Sequence, residues 1–213
     1  MREPPLSSAL APPLVDHLPR HPRAPRDPAV ATGYEAGIDE LAQAATLGDT
    51  EAVGRLYDRL VGPVHRYVGL RVRRREDAED ITQLVFERIV AALPRYRHNG
   101  KPFTAWAFRI ARNAVVDHIR RARPVEPLPD DYDPGNTLGL EALSVRGEEI
   151  RELRIAIRRL TADQQEALAL RFAAGLSAEE TAHVMGRQAG TVRGLTFRAI
   201  AALRRHLAEE PER

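Results

Sequence analysis

The chain has 213 residues, and 43% of them are apolar, which is enough to fill the cores of one or two small domains. The absence of cysteine excludes disulfide frameworks and thiolate metal sites. No apolar run reaches the roughly 18 residues of a membrane span and the N-terminus lacks a signal-peptide core, so we expect a cytoplasmic protein. The formal net charge is +2.

The N-terminal segment, residues 1–36, is predicted to be a disordered, proline-rich arm. Half of the 16 prolines lie in its first 28 residues, where no helical or strand period survives. His17 and His21 are four residues apart, but no helix would align them there as metal ligands. We therefore predict no metal site and no cofactor.

From about Gly37 the apolar pattern becomes helical and predicts a first group of three helices. Asp49 is the expected N-cap of a helix in which Pro63 should bend or interrupt the chain. Its apolar row consists of Leu56, Leu60, Val64 and Val68. The next helix, residues 76–93, has a predicted buried face made of Ile81, Leu84, Val85, Ile89 and Leu93.

The third helix, FTAWAFRIARNAVVDHIRR at residues 103–121, has two dissimilar faces. The face that can be buried contains Phe103, Ala107, Ile110, Ala111 and Ala114. The opposite arc contains Arg109, Arg112, Asn113, Val116 and Arg120, with no acid among them. Trp106 lies at the border, and Asp117 is expected to pair with Arg121, which leaves the basic row alone.

From the residues alone, this basic arc has two possible interpretations. It is either a solvated charged face or a phosphate-binding surface with an aromatic ring at its rim, since guanidinium groups bind phosphates and a ring can stack on an unpaired base. Trp106 is correspondingly either a stacking residue or a core residue.

Charge along the chain alternates in sign and suggests the domain boundaries. Residues 64–123 carry 14 basic and 6 acidic side chains, whereas residues 125–152 carry 8 acids and 2 arginines. The second stretch is also rich in proline, glycine and aspartate, which is typical of a linker. We predict one domain at 37–123, an acidic linker at 124–146 and a second domain at 147–208.

The second domain is predicted to contain a helix-turn-helix. Two capping boxes, Thr161 with Gln164 and Ser177 with Glu180, mark helix starts. The motif itself is carried by the spacing of Ala182, Gly186, Val192 and Leu195. Its second helix would present Gln188, Thr191 and Arg193 to a major groove, with Arg198, Arg204 and Arg205 left for phosphates. The simpler interpretation is a helical hairpin with a glycine turn.

Together these features resemble the extracytoplasmic-function sigma factors, a group of the sigma-70 family, over about Leu41 to Leu207. The resemblance is carried by DAEDITQLVFERIV, by FTAWAFRIARNAVVDHIRR and by LTADQQEALALRFAAGLSAEETAHVMGRQAGTV, in that order. It implies an all-α fold of two small helical domains and a bacterial subunit that recognises and melts promoters. It also implies core RNA polymerase, through its clamp helices and flap, and promoter DNA as partners, and it allows an anti-sigma factor.

By this resemblance, three sets of residues acquire expected roles, none of them catalytic, because a sigma factor is not an enzyme. Binding of core polymerase is expected from Asp80, Gln83, Leu84 and Glu87. Binding of the minus-ten element is expected from Arg97, Trp106, Arg109, Arg112, Asn113 and Arg120. Binding of the minus-thirty-five element is expected from Gln188, Thr191, Arg193, Arg198 and Arg205.

The sequence departs from the family pattern at two places, and two other functions stay open. Leu84 stands where an acid is usual, and Gly194 with Leu195 replaces a polar pair in the recognition helix. An autonomous helix-turn-helix regulator would explain the second domain but leave the first basic domain unused. A nucleic-acid enzyme would need a catalytic motif, and we find no phosphate-cradling glycine loop.

Overall fold

The computed structural model describes residues 28–121 and 146–208, with side chains at 37–121 and 152–207. All regular structure within these two ranges is helical, so the predicted all-α class is confirmed. The predictions for the histidines of the arm and for the acidic linker fall on residues 1–27 and 122–145, outside the described ranges.

The first module, residues 28–121, contains four helices: α1 Pro28–Thr46, α2 Thr50–Arg71, α3 Arg75–Ala92 and α4 Phe103–Arg121. The module thus has one helix more than the three predicted, and this additional helix, α1, begins before Gly37, where the helical pattern is predicted to start. The Asp49 side chain accepts a hydrogen bond from the backbone N–H of Ala52 at 3.0 Å, which confirms the predicted N-cap of α2. A short 3₁₀ turn, Leu93–Arg95, ends the α3 region.

Of the two effects predicted for Pro63, a bend or an interruption, the interruption is wrong, because α2 continues through this residue to Arg71. Proline removes one intrahelical hydrogen bond and crowds the preceding turn. The apolar row nevertheless stays buried on both sides of Pro63, as shown by Leu60 and Val64. Tertiary packing of that row therefore stabilises the helix on both sides of the proline.

Helix α4 begins at Phe103, where contacts with other parts of the first module cap and bury its N-terminal end. The Asp39 carboxylate of α1 accepts a hydrogen bond from the Phe103 backbone N–H at 2.6 Å and so serves as a cap from another helix. The Phe103 ring is fully buried and packs edge-on against Tyr96, with ring centroids 5.1 Å apart. The basic face of α4 is thereby set at a fixed rotation relative to the core.

The second module, residues 146–208, contains α5 Arg146–Arg158, α6 Ala162–Leu168, a π-helical turn Ala169–Ala173, α7 Ala178–Met185 and α8 Ala189–Ala208. Both predicted capping boxes are present, at the starts of α6 and α7. Gly186 ends α7 with φ 64°, a left-handed conformation that glycine adopts without steric cost. The predicted helix-turn-helix is therefore α7, this turn and α8.

The two modules pack against each other rather than lying apart. Helix α4 contacts α7, and α2 contacts the π-helical turn, so that one hydrophobic core contains side chains from both modules. The Arg66 guanidinium Nε also donates to the carbonyl oxygen of Ala173 at 3.1 Å. None of the helices in the described ranges combines the length and apolar character that a membrane crossing requires.

Candidate functional site

An acidic stripe lies on the outer side of α3. Asp80, Gln83 and Glu87 are all exposed, whereas Ile81 and Val85 on the other side of the helix are buried. The Gln83 amide donates to a Glu87 carboxylate oxygen at 3.0 Å, so the stripe is held together by its own side chains. The stripe therefore faces outward and is accessible to a partner.

Beside the stripe, α3 and α4 line an open groove of about 350 Å³. Its lining combines the apolar Leu84, which is half-buried against the core, with Asp80 and Arg88 of α3 and with Asp117 and His118 of α4. The groove thus offers apolar surface together with charges of both signs. Such a surface can accept a helix that carries apolar and basic side chains.

The basic face of α4 is less uniform than the sequence suggests. Arg109 and Asn113 are exposed. Asp117 pairs with Arg120 at 3.2 Å, so the predicted pairing with Arg121 is wrong. On a helix both the third and the fourth following residues lie next to an acid, and here the nearer arginine belongs to the basic row. Asp117 therefore partly neutralises that row.

Trp106 lies at the border between the two faces of α4, as predicted. Its side chain is half-buried, with ring centroids 4.9 Å from Tyr96 and 5.0 Å from Phe103. Nearby Arg97 is exposed, and its guanidinium donates to the Tyr96 carbonyl at 3.0 Å. Trp106 is thus supported by the core and keeps part of its ring accessible.

Arg112 contacts an acid from the other module, and this contact lies in a polar cluster that the sequence analysis missed. Its Nε is 3.7 Å from Glu166 Oε1, Arg71 Nη2 is 3.2 Å from Glu166 Oε2, and the Tyr67 hydroxyl donates to Oε1 at 2.7 Å. We call these four residues the Glu166 cluster. The sequence predicts no acid within the basic arc of α4, and it gives no sign that Glu166 of another helix lies next to Arg112 in the folded chain.

The side chains of three members of the Glu166 cluster are buried between the modules, and that of the fourth, Arg112, is partly exposed. The Glu166 and Arg71 side chains are only 5% and 8% exposed. Burial raises the pKa of the Tyr67 hydroxyl well above its usual value, and the charge of the adjacent Glu166 carboxylate and the hydrogen bond to it raise it further. Tyr67 therefore stays protonated and acts as a hydrogen-bond donor.

A second buried polar contact joins α4 to α7. The Thr104 hydroxyl donates to one carboxylate oxygen of Glu180 at 2.5 Å, while the other oxygen accepts from the Ser177 backbone N–H at 2.8 Å. Glu180 thus completes its capping box and binds the first module with the same side chain. The capping pattern predicted the first role, and only the fold reveals the second.

In the helix-turn-helix, the structure places the predicted reading residues on the surface. Gln188, Thr191 and Arg193 are exposed at the start of α8, and Ala182, Val192 and Leu195 are buried between α7 and α8. Arg193 forms an ion pair with the exposed Glu179 of α7. The remaining arginines of this helix are exposed as well, namely Arg198, Arg204 and Arg205.

Comparisons with known proteins agree with this division into two modules. The family model for sigma-70 region 2 matches residues 52–125, and the model for sigma-70 region 4 matches residues 156–205. The sigma factor BldN of Streptomyces coelicolor is 37% identical over 194 residues, 84% of this chain and 69% of that protein. SigD of Mycobacterium tuberculosis is 34% identical over 176 residues, 78% of this chain and 82% of that protein.

The fold is also similar to a solved structure. CnrH, solved in complex with the cytosolic domain of CnrY, matches with a TM-score of 0.65 and 24% identity. The match covers 82% of this chain and 99% of that one. At this level of identity the likeness supports the helical architecture.

Proposed function

The chain belongs to the extracytoplasmic-function RNA polymerase sigma factors, which direct polymerase to promoters and start transcription, and we propose that three of its surfaces divide this work. The α3 stripe binds core polymerase, the basic face of α4 binds the minus-ten element, and α8 reads the minus-thirty-five element. An autonomous helix-turn-helix regulator is not favoured, because matches to both sigma regions are present.

The single observation that carries this proposal is the acidic stripe of α3 within an otherwise basic module. Asp80 and Glu87 point outward with Gln83 between them, on the side opposite the buried face of the helix. Such a stripe would repel DNA, but it complements a basic protein surface such as the polymerase clamp helices. Leu84 adds apolar contact where the family usually has a charge.

The proposed minus-ten surface combines charge with stacking. Arg109 and Asn113 are exposed, and Arg97 and the accessible part of Trp106 lie at the end of α4 where strand separation would begin. A protein that melts DNA without ATP must supply phosphate contacts and stacking to the exposed strand, and stacking contributes about 1 to 3 kcal/mol per base. Arg112 and Arg120 extend this surface along the helix.

The proposed minus-thirty-five surface is the N-terminal part of α8. Gln188, Thr191 and Arg193 would reach base edges in the major groove, and Arg198 and Arg205 would contact phosphates. The buried contacts of α7 with α8 keep these side chains in one rigid unit. Rigid placement is what base reading requires, because each hydrogen bond depends on a fixed geometry.

Further elements of the proposal concern location and control. Because core polymerase and promoters lie in the bacterial cytoplasm, we place the protein there, and the chemistry of transcription belongs to the polymerase. We also include an anti-sigma factor among the partners. The groove between α3 and α4, next to the acidic stripe, is a surface that such a partner could cover.

The decisive experiment reverses the charge of the stripe. The double variant Asp80→Arg with Gln83→Ala should lose binding to core polymerase in a native gel shift while its circular dichroism spectrum stays unchanged. Asp58→Arg, on an exposed position of α2, is the matched charge-reversal control and should bind normally. A folded double variant that forms holoenzyme at wild-type affinity would refute the assignment of α3.

A further inference from the structure

The Glu166 cluster contains more positive charge than negative. Two guanidinium groups, Arg71 and Arg112, face one carboxylate, and the Tyr67 hydroxyl is a neutral donor. All three donors belong to the first module, whereas the anion comes from α6 of the second. Separation of the modules would therefore leave a cationic site on the first module without its anion.

The cluster also contains more donors than Glu166 can satisfy. The Nε atoms of Arg71 and Arg112 are both buried and have no hydrogen-bond partner. Arg71 Nη1 has to use a neutral acceptor, the Gln165 side-chain oxygen at 3.0 Å. The Gln165 amide is in turn held by the Leu160 carbonyl at 2.9 Å. A planar carboxylate thus leaves donors unpaired in a site that could hold a larger oxyanion.

A phosphodiester could accept hydrogen bonds from the donors that Glu166 leaves unpaired. It carries a negative charge and distributes oxygen acceptors around a tetrahedral centre, and arginine forks bind it through several N–H groups at once. A tyrosine hydroxyl is a common further donor to DNA phosphates. Arg112 also lies on the face of α4 that we assign to the minus-ten element, so a DNA backbone there would pass next to Arg71 and Tyr67.

We propose that Arg71, Arg112 and the Tyr67 hydroxyl form a binding site for a backbone phosphate of promoter DNA, and that Glu166 occupies this site in the isolated chain as an internal substitute. The site extends the proposed minus-ten surface onto the end of α2 and rests on that proposed function. Glu166 excludes DNA until the modules separate.

Geometry requires this separation. The minus-ten and minus-thirty-five elements lie about 25 base pairs apart, which is roughly 85 Å of DNA at 3.4 Å per base pair. A packed chain of the described length has a radius of gyration of about 15 Å. The packed modules therefore cannot reach both elements at once, and promoter binding exposes the three donors.

The first experiment measures binding of the isolated full chain to a labelled promoter fragment with a pre-opened minus-ten region, by fluorescence anisotropy. Glu166→Gln keeps the shape of the side chain and removes its charge, and we expect an affinity increase of about tenfold. Asp163→Asn, on the exposed side of the same helix, removes the same charge away from the site and should change affinity less than about twofold.

The double variant Glu166→Gln with Arg71→Gln tests whether the gain comes from the proposed phosphate site. It should lose the gain, and its plot of log affinity against log salt should be flatter than that of Glu166→Gln by about 1, the value for one phosphate contact. An equal gain in Asp163→Asn, or a gain that survives the Arg71 change, would overturn the proposal.

A measurement on holoenzyme covers the case in which Glu166→Gln fails to fold. Arg71→Gln holoenzyme should bind promoter less tightly than wild type, with a salt slope smaller by about 1 and normal affinity for core. Arg109→Ala reports separately on the minus-ten face, since Arg109 lies outside the Glu166 cluster. A loss for Arg109→Ala with none for Arg71→Gln overturns only the phosphate site. No loss in either variant overturns the proposed face as well.

Discussion

We propose that two helices, α4 and α8, bind DNA, and they differ in the acids with which their arginines pair. On α4, Arg112 is in contact with the buried Glu166 of the other module. On α8, Arg193 pairs with Glu179, which is exposed and belongs to the same module. The first contact depends on the packing of the two modules, and the second does not.

This difference predicts an order in which the surfaces become available. The residues at the start of α8 are exposed while the modules are packed, so we expect reading of the minus-thirty-five element to require no separation of the modules. On the basic arc of α4, Arg112 pairs with Glu166 of the other module, while Arg109, Asn113, Val116 and Arg120 are exposed. We therefore predict that a DNA contact of Arg112 requires loss of contacts between the modules, and that minus-thirty-five reading does not.

The largest expected effect is the difference in stability between variants of Glu166 and Glu179. Glu166→Ala leaves Arg71 buried without its carboxylate and should lower the free energy of unfolding by about 3 to 5 kcal/mol. Glu179→Ala removes only an exposed ion pair and should cost less than about 1 kcal/mol. Urea denaturation followed by circular dichroism measures both. Equal losses would show that the Glu166 contact behaves like a surface ion pair.

The next effect concerns base reading by α8. Arg193→Ala should cost about 1 to 3 kcal/mol of binding on promoters with an intact minus-thirty-five element, because it removes a base-edge contact. Arg205→Ala removes a phosphate contact and should weaken binding evenly across sequences. Holoenzyme affinities on matched and scrambled elements separate the two variants. The assignment of Arg193 fails if both variants lose the same amount on both promoters.

For the arginines of α4 we expect a smaller loss per residue, seen in the rate and the salt dependence of promoter melting. Arg112→Ala and Arg120→Ala should each slow open-complex formation and reduce its salt slope by about 1, while core binding survives. Permanganate footprinting at several salt concentrations measures promoter melting. Normal melting by both variants would mean that the basic face of α4 is only solvated.

The smallest effect is a pH dependence from Tyr67. Burial, followed by the nearby Glu166 carboxylate, raises the pKa of this hydroxyl, so the packed structure favours the neutral phenol. Its contribution to stability is present below the unfolded pKa of about 10 and is lost as pH rises through the higher folded value. Tyr67→Phe should reduce this alkaline loss in urea titrations. Matching profiles for both proteins would contradict the expectation.

Local sequence patterns predicted most of the helices and much of the buried faces of α2, α3 and α4, although the predicted face of α4 lacked the buried Phe108 and Val115. The Asp49 cap, both capping boxes and the turn at Gly186 depend on residues close together in sequence, and all are present. Pro63 does not interrupt α2, because its local cost is outweighed by the packing of distant side chains.

The Glu166 cluster could not be predicted in the same way, because its members come from α2, α4 and α6. One local signal was available. Glu166 lies one helical turn before the buried Leu170, so an acid stands within an apolar stripe. That pattern indicates a buried charge that needs a cationic partner, but it cannot identify Arg71 or Arg112, which the chain brings near only on folding.

The central claim, that the modules are packed in the isolated chain and separate on the promoter, is tested most directly by a distance measurement. Because the chain has no cysteine, Ala91→Cys on α3 and Ala201→Cys on α8 place two labels at exposed positions. We expect one short label-to-label distance in the isolated protein and an increase to several tens of ångströms with core polymerase and promoter, whose two elements lie roughly 85 Å apart. An unchanged distance in a complex that starts transcription would contradict the account.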